Sequence, residues 1–537
     1  MSARPLQSGA QARAPHQHGR GSHPRQAHPR AALAVLSLTV LIINLDGTIL
    51  NVALPKIVLS LHATASQVQW IVDAYAVVLA GLLLIAGSLG DHLGRKWVYL
   101  AGLGVFAAGS ALSALSGSTG SLVGARALMG VGAAAIMPSS LSILTNVFTD
   151  ATQRARAIGL WSGTNGLGLA IGPTVGGWLL AHYWWGSVFL INVPIVVVTV
   201  IAAFLLIPDS RNEHAASPDL VGAIASLAGV GLLLWAIIEG PGRGWSSGII
   251  LSALIGSLVL VAGFVLWERR SSHALLELSF FRRARFSVAI GAMSLTIFAL
   301  SGAMFLLTQY LQFVLGYSAL QTGLRITPIA VVLIAVAAAS SYLVTYIGTK
   351  PVVFTGLALI ALGLGRLSEL GMHSTYSTAL SSFFLLGIGT GLAVAPATES
   401  VMGSVPLELA GVGSATNSTF LQIGGALGVG VLGSVLSTHY RAVMGATVTH
   451  LGLSGALGTT AAGSLGGALG VAAGVPASVG APLAQAGRAA FVSAMDLSFD
   501  VGAFIVAMAA LFVIVSLPSR ADTPESALFS DLGGPMS

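Results

Sequence analysis

Long apolar runs of about 18–25 residues, set apart by short polar connections, recur along almost the whole chain. A helix needs about 20 apolar residues to cross a bilayer, so each run is a candidate span. About fourteen can be placed, near residues 33–54, 68–88, 97–116, 120–145, 157–181, 188–207, 220–239, 247–267, 286–307, 323–346, 351–370, 377–400, 411–438 and 493–517. The basic residues sort to one side of this series. With the N-terminus in the cytoplasm, Arg95 and Lys96, Arg154 and Arg156, Arg211, the Arg269–Arg285 group, Lys350 and Arg520 all fall inside. The other side holds chiefly Lys56, Arg243, Arg441 and Arg488. The positive-inside rule therefore predicts a multi-pass inner-membrane protein with both termini cytoplasmic.

Two stretches interrupt the pattern. Residues 268–285 (ERRSSHALLELSFFRRAR) are charged and predict an amphipathic interfacial helix. Residues 439–492 are rich in Gly, Ala, Ser and Leu and broken by Pro, which predicts a long exterior loop with marginal helices. Two further spans there would preserve the same parity. Residues 1–32 read as a disordered, basic cytoplasmic tail without an apolar leader region, and residues 519–537 as a second cytoplasmic tail.

Composition narrows the class. The chain has 537 residues, 55% hydrophobic and 8% charged, whereas soluble domains are about a quarter charged. A bilayer is thus the first partner. No cysteine is present, which excludes disulfides, thiol catalysis and Cys-ligated metals. The net charge of +6 lies in the connections rather than in a patch, so nucleic acid is not an expected partner. A phosphate-binding G-x-x-x-x-G-K-[ST] loop is absent, as are a nucleophile elbow and any His/Asp/Glu cluster with metal spacing. No enzyme activity, metal or cofactor is expected.

The most informative residues are isolated charges inside the runs. Asp46 lies in span one (AALAVLSLTVLIINLDGTILNVALP) and Asp73 in span two (QVQWIVDAYAVVLAGLLLIAGSLG). A charge at bilayer depth is costly and usually marks an ion or substrate path. Burial disfavours the ionised carboxylate and can bring its titration toward neutral pH. Alternatively, each Asp is tied to backbone or Asn/Thr donors and only packs helices. Helical spacing puts Gln69, Trp70, Ala76, Val77 and Ala80 on the face of Asp73, a mixture suited to a cavity wall. On span one, Asn44, Thr48 and Asn51 form a polar stripe from which Asp46 stands apart. Trp161, Gln309, Tyr310, Gln312 and Tyr317 suit a pocket that holds a flat cation, or an interfacial belt. Glu399, near the inner end of span twelve, either titrates or caps that end.

Three motifs carry mechanism. The turn after span two, Gly87-Ser88-Leu89-Gly90-Asp91-His92-Leu93-Gly94-Arg95-Lys96, combines tight-turn glycines with charges that can form a latch between two conformations. Asp91 is placed to accept from a neighbouring helix N-terminus, and Arg95 and Lys96 to pair with acidic groups when two halves meet. Span four carries Arg126 in an R-x-x-x-G-x-G pattern, which needs a partner, water or backbone carbonyls. Span five holds Gly168, Gly172, Pro173, Gly176 and Gly177 in G-x-x-x-G-P-x-x-G-G, a kinked helix that neighbours can approach closely.

The pattern G-x-L-x-D-x-x-G-R-K resembles the signature loop of the major facilitator superfamily, and the span-five pattern resembles the antiporter signature of its exporters. With LDGTILNVALP, WIVDAYAVVLAG and FLINVP (Phe189–Pro194), the chain resembles the fourteen-span drug:proton antiporters of the EmrB/QacA type over residues 33–518. Met129 stands where many relatives carry Gln, and span ten lacks the embedded carboxylate of some exporters of divalent cations. The resemblance implies an all-α major facilitator fold. It would comprise an N-terminal six-helix bundle (33–207), an inserted helix pair with a charged linker (208–285) and a C-terminal six-helix bundle (286–518). It implies a monomer, driven by the proton gradient, that exports lipophilic or quaternary ammonium cations by alternating access. Asp46, Asp73 and Arg126 would then serve proton coupling or cation recognition. Export of an endogenous antibiotic, metabolite or lipid is the alternative, and a non-transporting membrane sensor a remote one.

Overall fold

In lipid every backbone polar group must be satisfied within the protein, and among the described residues the chain does this with helices alone. The computed structural model describes residues 29–211, 219–271, 275–406 and 409–517. Residues 1–28 and 518–537, nearly all of the two expected tails, lie outside the described residues. Helices α1 (Pro29–Leu61), α2 (Ala65–Leu93), α3 (Arg95–Ala114), α4 (Thr119–Val147) and α5 (Ala151–His182) precede a short α6 (Ser187–Leu190) that leads into α7 (Asn192–Leu206). Next come α8 (Leu220–Arg243) and α9 (Gly248–Glu268). After them follow α10 (Ala284–Gln309), α11 (Ala319–Ile347), α12 (Thr349–Leu367), α13 (Tyr376–Met402) and α14 (Ala410–His450). The last three are α15 (Gly455–Gly463), α16 (Leu465–Gly474) and α17 (Ala477–Ser516).

Thirteen of the described helical segments are long and apolar enough to cross a membrane. The expected fifth span, α5, is the exception. It has the length, 32 residues, but opens with Gln153, Arg154 and Arg156 and is dense in glycine, so its apolarity is lower. Helix starts are set by side chains. Thr64 with Gln67, Ser118 with Ser121, and Ser318 with Gln321 form reciprocal capping boxes at α2, α4 and α11. Gly94 (φ +103°) and Gly348 (φ +83°) supply the left-handed backbone that turns α2 into α3 and α11 into α12.

Helices α1 to α7 pack on one another, principally α3 and α2 on α4 and α1 on α5. A second group joins α10 to α14, α11 and α12 to α13, and α12 to α17. The two groups meet along α5–α11 and α2–α14, while α8 and α9 pair with each other and α8 lies against α2 and α14.

Two expectations change. The stretch 439–492 is largely helical, made of the end of α14, α15, α16 and the start of α17. Its glycines act as contact points for close packing. A side chain at Gly466 would collide with Val58 of α1, and one at Gly480 with the Ala472 carbonyl. The charged stretch 268–285 forms no amphipathic helix among its described residues. A single 3-10 turn, Leu278–Arg282, is anchored by Phe280, Phe281 and Phe286, whose rings pack together.

Candidate functional site

The embedded charges fall into two different environments. Asp46 on α1 and Arg126 on α4 are each 1% exposed and form an ion pair, Nη1 to Oδ2, at 2.5 Å. Arg126 also donates through Nε to the Ile71 carbonyl (3.3 Å), and its guanidinium lies 4.5 Å from the centre of the Tyr75 ring. The second carboxylate oxygen of Asp46 accepts from Asn192 Nδ2 (3.0 Å), which also donates to Ser110 Oγ (3.1 Å). Ser110 in turn donates to the Phe189 carbonyl (2.7 Å). Asp46 thus ties α1 to α4 and α7, with both oxygens engaged. Sequence reasoning placed Arg126 and Asp46 in the membrane but not together, and it did not single out Asn192, which sits inside FLINVP.

Asp73 on α2 is fully buried, and neither carboxylate oxygen has a hydrogen-bond partner among the described residues. It faces α14, where Gly430 leaves room for it: a side-chain carbon at 430 would lie 3.8 Å from Asp73 Oδ2 and 3.1 Å from Leu234 of α8. One turn away, Gln69 presses onto Gly433, leaving no space for a β-carbon. The face holding Gln69, Val77 and Ala80 is therefore a helix interface in this conformation rather than a cavity wall, because small residues of α14 let that helix close over it. Trp70 is half-buried. A buried, uncompensated carboxylate is costly, so Asp73 calls for either a proton or a cation.

The remaining polar candidates separate. Thr48 donates to the Gly168 carbonyl (3.2 Å), and Asn44 to Val40 of its own helix (2.8 Å). Thr48 and Asn51, with Pro173 of α5, reach a cavity of about 30 Å³ between the two groups of helices, with Met304, Thr308 and Ile326 opposite, and Asn51 Oδ1 has no partner among the described residues. A second small space brings Gln69 and Gln309 together beside Gly433. Gln312 bridges the groups by donating to the Val52 carbonyl (3.0 Å). Tyr310 lines neither space: it is fully buried and donates to the Gly371 carbonyl (2.7 Å). Tyr317 stacks on Arg325 (4.1 Å), Trp161 is half-buried with its indole N–H unpartnered among the described residues, and Glu399 is exposed.

The span-five glycines have assigned neighbours. Gly168, Gly172 and Gly176 recur every fourth residue and seat Asn44, Thr48 and Ile49 of α1. Gly177 receives the backbone of Ala319 and Leu320, while Gly323 of α11 lies so close to the Pro173 carbonyl that a β-carbon would collide with it. Thr174 and Thr327 join hydroxyls across this seam at 3.0 Å. These contacts cluster at the bundle end that carries the α1–α2 and α10–α11 connections. Toward the other end the seam parts: no buried residue occurs from Ile158 to Thr164 on α5 or from Ser341 to Ile347 on α11. Gly323→Ala is accordingly expected to strain the closed end by about 1–3 kcal/mol. Because the chain has no native cysteine, Thr174→Cys/Thr327→Cys reports this directly. The pair should crosslink rapidly alone and several-fold more slowly beside Gly323→Ala.

At the α2–α3 turn, Arg95 pairs with Asp91 (2.6 Å) and its backbone N–H donates to Ser210 (2.9 Å). Lys96 donates to the Phe204 carbonyl (2.9 Å). Neither the expected helix-terminus contact of Asp91 nor an ion pair across the halves is among the described contacts of Asp91 and Arg95. The turn is tied to the end of α7 and the residues just beyond it instead.

The profile of the Major Facilitator Superfamily matches residues 36–429. The chain belongs to the Major Facilitator Superfamily. As a member it is a multi-pass membrane transporter rather than an enzyme. It is similar to the multidrug efflux pump LfrA of Mycolicibacterium smegmatis, at 37% identity over 90% of this chain and 95% of that protein. Similarity extends to the tetracenomycin C resistance and export protein of Streptomyces glaucescens, at 32% identity over 91% and 92% of the two chains. The methyl viologen resistance protein SmvA of Salmonella typhimurium is 30% identical over 76% of this chain and 83% of its own. Among solved structures, a bacterial homologue of the lysosomal transporter Spinster, in an inward-facing, occupied conformation, superposes with a TM-score of 0.62 at 17% identity, covering 92% of this chain and 98% of that one. This likeness concerns the fold.

Proposed function

We propose that this superfamily member exports amphipathic cations in exchange for protons by alternating access. The observation that carries the reading is Asp73, a carboxylate buried without a partner among the described residues, at the seam between the two groups of helices. Similarity to a multidrug efflux pump and to a methyl viologen resistance protein supports drug and quaternary-cation cargo. The arrangement supports two six-helix bundles with α8 and α9 inserted between them, which we read as one complete transport unit. The distribution of basic residues supports cytoplasmic termini, and on that reading the closed end is exterior and the parted end interior.

In this cycle Asp73 alternates between two compensations. A cation enters from the cytoplasm or inner leaflet and pairs with the Asp73 carboxylate, displacing its proton. The α5–α11 and α2–α14 seams then part at the exterior end and close at the interior one. Outside, a proton returns to a carboxylate oxygen of Asp73, the electrostatic attraction is lost and the cation leaves. Asp46 stays paired with Arg126 throughout, holding α1, α4 and α7 as one body.

The similarity to a tetracenomycin C resistance and export protein favours a second cargo, an endogenous antibiotic, with Asp73 serving only the proton. Ethidium accumulation in cells tests the two. Expression of the transporter should lower accumulation several-fold, and a protonophore should abolish the difference. Unchanged accumulation of ethidium and quaternary ammonium compounds, from protein shown to reach the membrane, would leave the antibiotic reading.

A further inference from the structure

Away from the seam, a cavity of about 460 Å³ opens on the lateral surface between α8, α14 and α17. Its floor is a stripe of α14, with Val431, Val435 and Ala442 apolar and Ser434 and Thr438 polar. Ser434 spends its hydroxyl on the Ile237 carbonyl (2.6 Å) and Thr438 on its own helix (2.8 Å), so the floor presents hydrocarbon rather than free donors. One wall is Trp245, just beyond α8. Its ring lies flat against Gly240, where a β-carbon would come within 2.7 Å of it, and its indole nitrogen reaches Thr438 (3.4 Å). Leu497 of α17 forms the opposite wall and is 42% exposed.

The rim is charged. Arg441 lies one residue from Ala442, its guanidinium 3.7 Å from where a side chain of Gly242 would begin. Arg243 pairs with Glu239 (3.2 Å) and stands over Trp235 (5.1 Å). Two arginines against one glutamate leave a net positive charge, and His439 lies on the cavity edge, held to Ser493 (3.1 Å). A hydrocarbon slot facing the bilayer beneath a basic rim matches an amphiphile with an acyl chain and an anionic head. It mismatches a lipophilic cation, which the same rim repels.

We propose that this cavity is a binding site for an anionic phospholipid, one acyl chain lying along α14 beside Trp245 and the phosphate pairing with Arg441. The lipid would bridge α8 of the inserted pair to α17 across the α14 floor. This site is separate from Asp73 and does not depend on the cargo.

Trp245 provides the readout. The protein is placed in nanodiscs containing phosphatidylglycerol or phosphatidylcholine with dibrominated acyl chains, and the quenching due to Trp245 is taken as the difference from Trp245→Phe. Quenching should favour phosphatidylglycerol about fivefold at equal mole fraction, the ~1 kcal/mol that one basic residue contributes at an anionic lipid. Arg441→Gln should reduce it to the phosphatidylcholine level, and Val435→Trp, which fills the slot, should remove protection of either lipid from exchange. Equal quenching by the two lipids in wild type, or a preference that survives Arg441→Gln, would overturn the proposal. So would displacement of the brominated lipid by ethidium, which would make the slot a cation site.

Discussion

Arg126→Met is expected to cost about 3–5 kcal/mol and to leave little folded protein. The substitution nearly preserves volume, so the loss is electrostatic. It leaves the Asp46 carboxylate, 1% exposed, with only Asn192 as a donor, and removes the cation that lies over Tyr75. The double variant Asp46→Leu/Arg126→Met removes both charges and should recover most of the thermal stability, since a buried pair is often dispensable when both members go. Melting curves and yield of purified protein check this. A single variant as stable as wild type would mean that the pair is not closed in the native transporter.

Asp73→Asn is expected to behave in the opposite way. No hydrogen bond is lost, because neither oxygen has a partner among the described residues, so folding and yield should match wild type. Function should not. Losing one charged contact of about 1.5–3 kcal/mol corresponds to roughly 10- to 150-fold weaker binding of a monovalent lipophilic cation, measurable by ethidium fluorescence titration. Asp73→Glu keeps the charge but carries an extra methylene toward Gly430 and Leu234, and should bind with intermediate affinity. An Asp73→Asn protein that binds ethidium as tightly as wild type would place the cation elsewhere.

The contrast between these two carboxylates was only half legible in the amino-acid sequence. Both stood out because a charge inside an apolar run is rare, and the spacing of span one already set Asp46 apart from Asn44, Thr48 and Asn51. Its partner was not legible. Arg126 lies eighty residues away, and only the packing of α1 on α4 brings the two together. The isolation of Asp73 depends on Gly430 and Gly433 of α14, two glycines among 67, with nothing local to mark them as its neighbours. The span-five motif was legible as a close-packing helix, and the structure adds which helix each glycine seats. Residues 439–492 misled for a related reason. Gly and Ala read as breakers when they stand alone, yet in α16 they let a short helix lie flush on α1 and α17. Glu268, which accepts from Leu276 N–H (3.0 Å) near Asp219, ends an otherwise apolar run and was open to notice as a buried carboxylate.

The central claim is that Asp73 exchanges a proton for a cation. Its most direct test uses purified transporter in liposomes that enclose a pH-sensitive dye, with a pH gradient imposed and ethidium or a quaternary ammonium compound added. Wild type should show proton flux that depends on the cation, and Asp73→Asn should show none. Cation-dependent proton flux retained in Asp73→Asn would contradict the account.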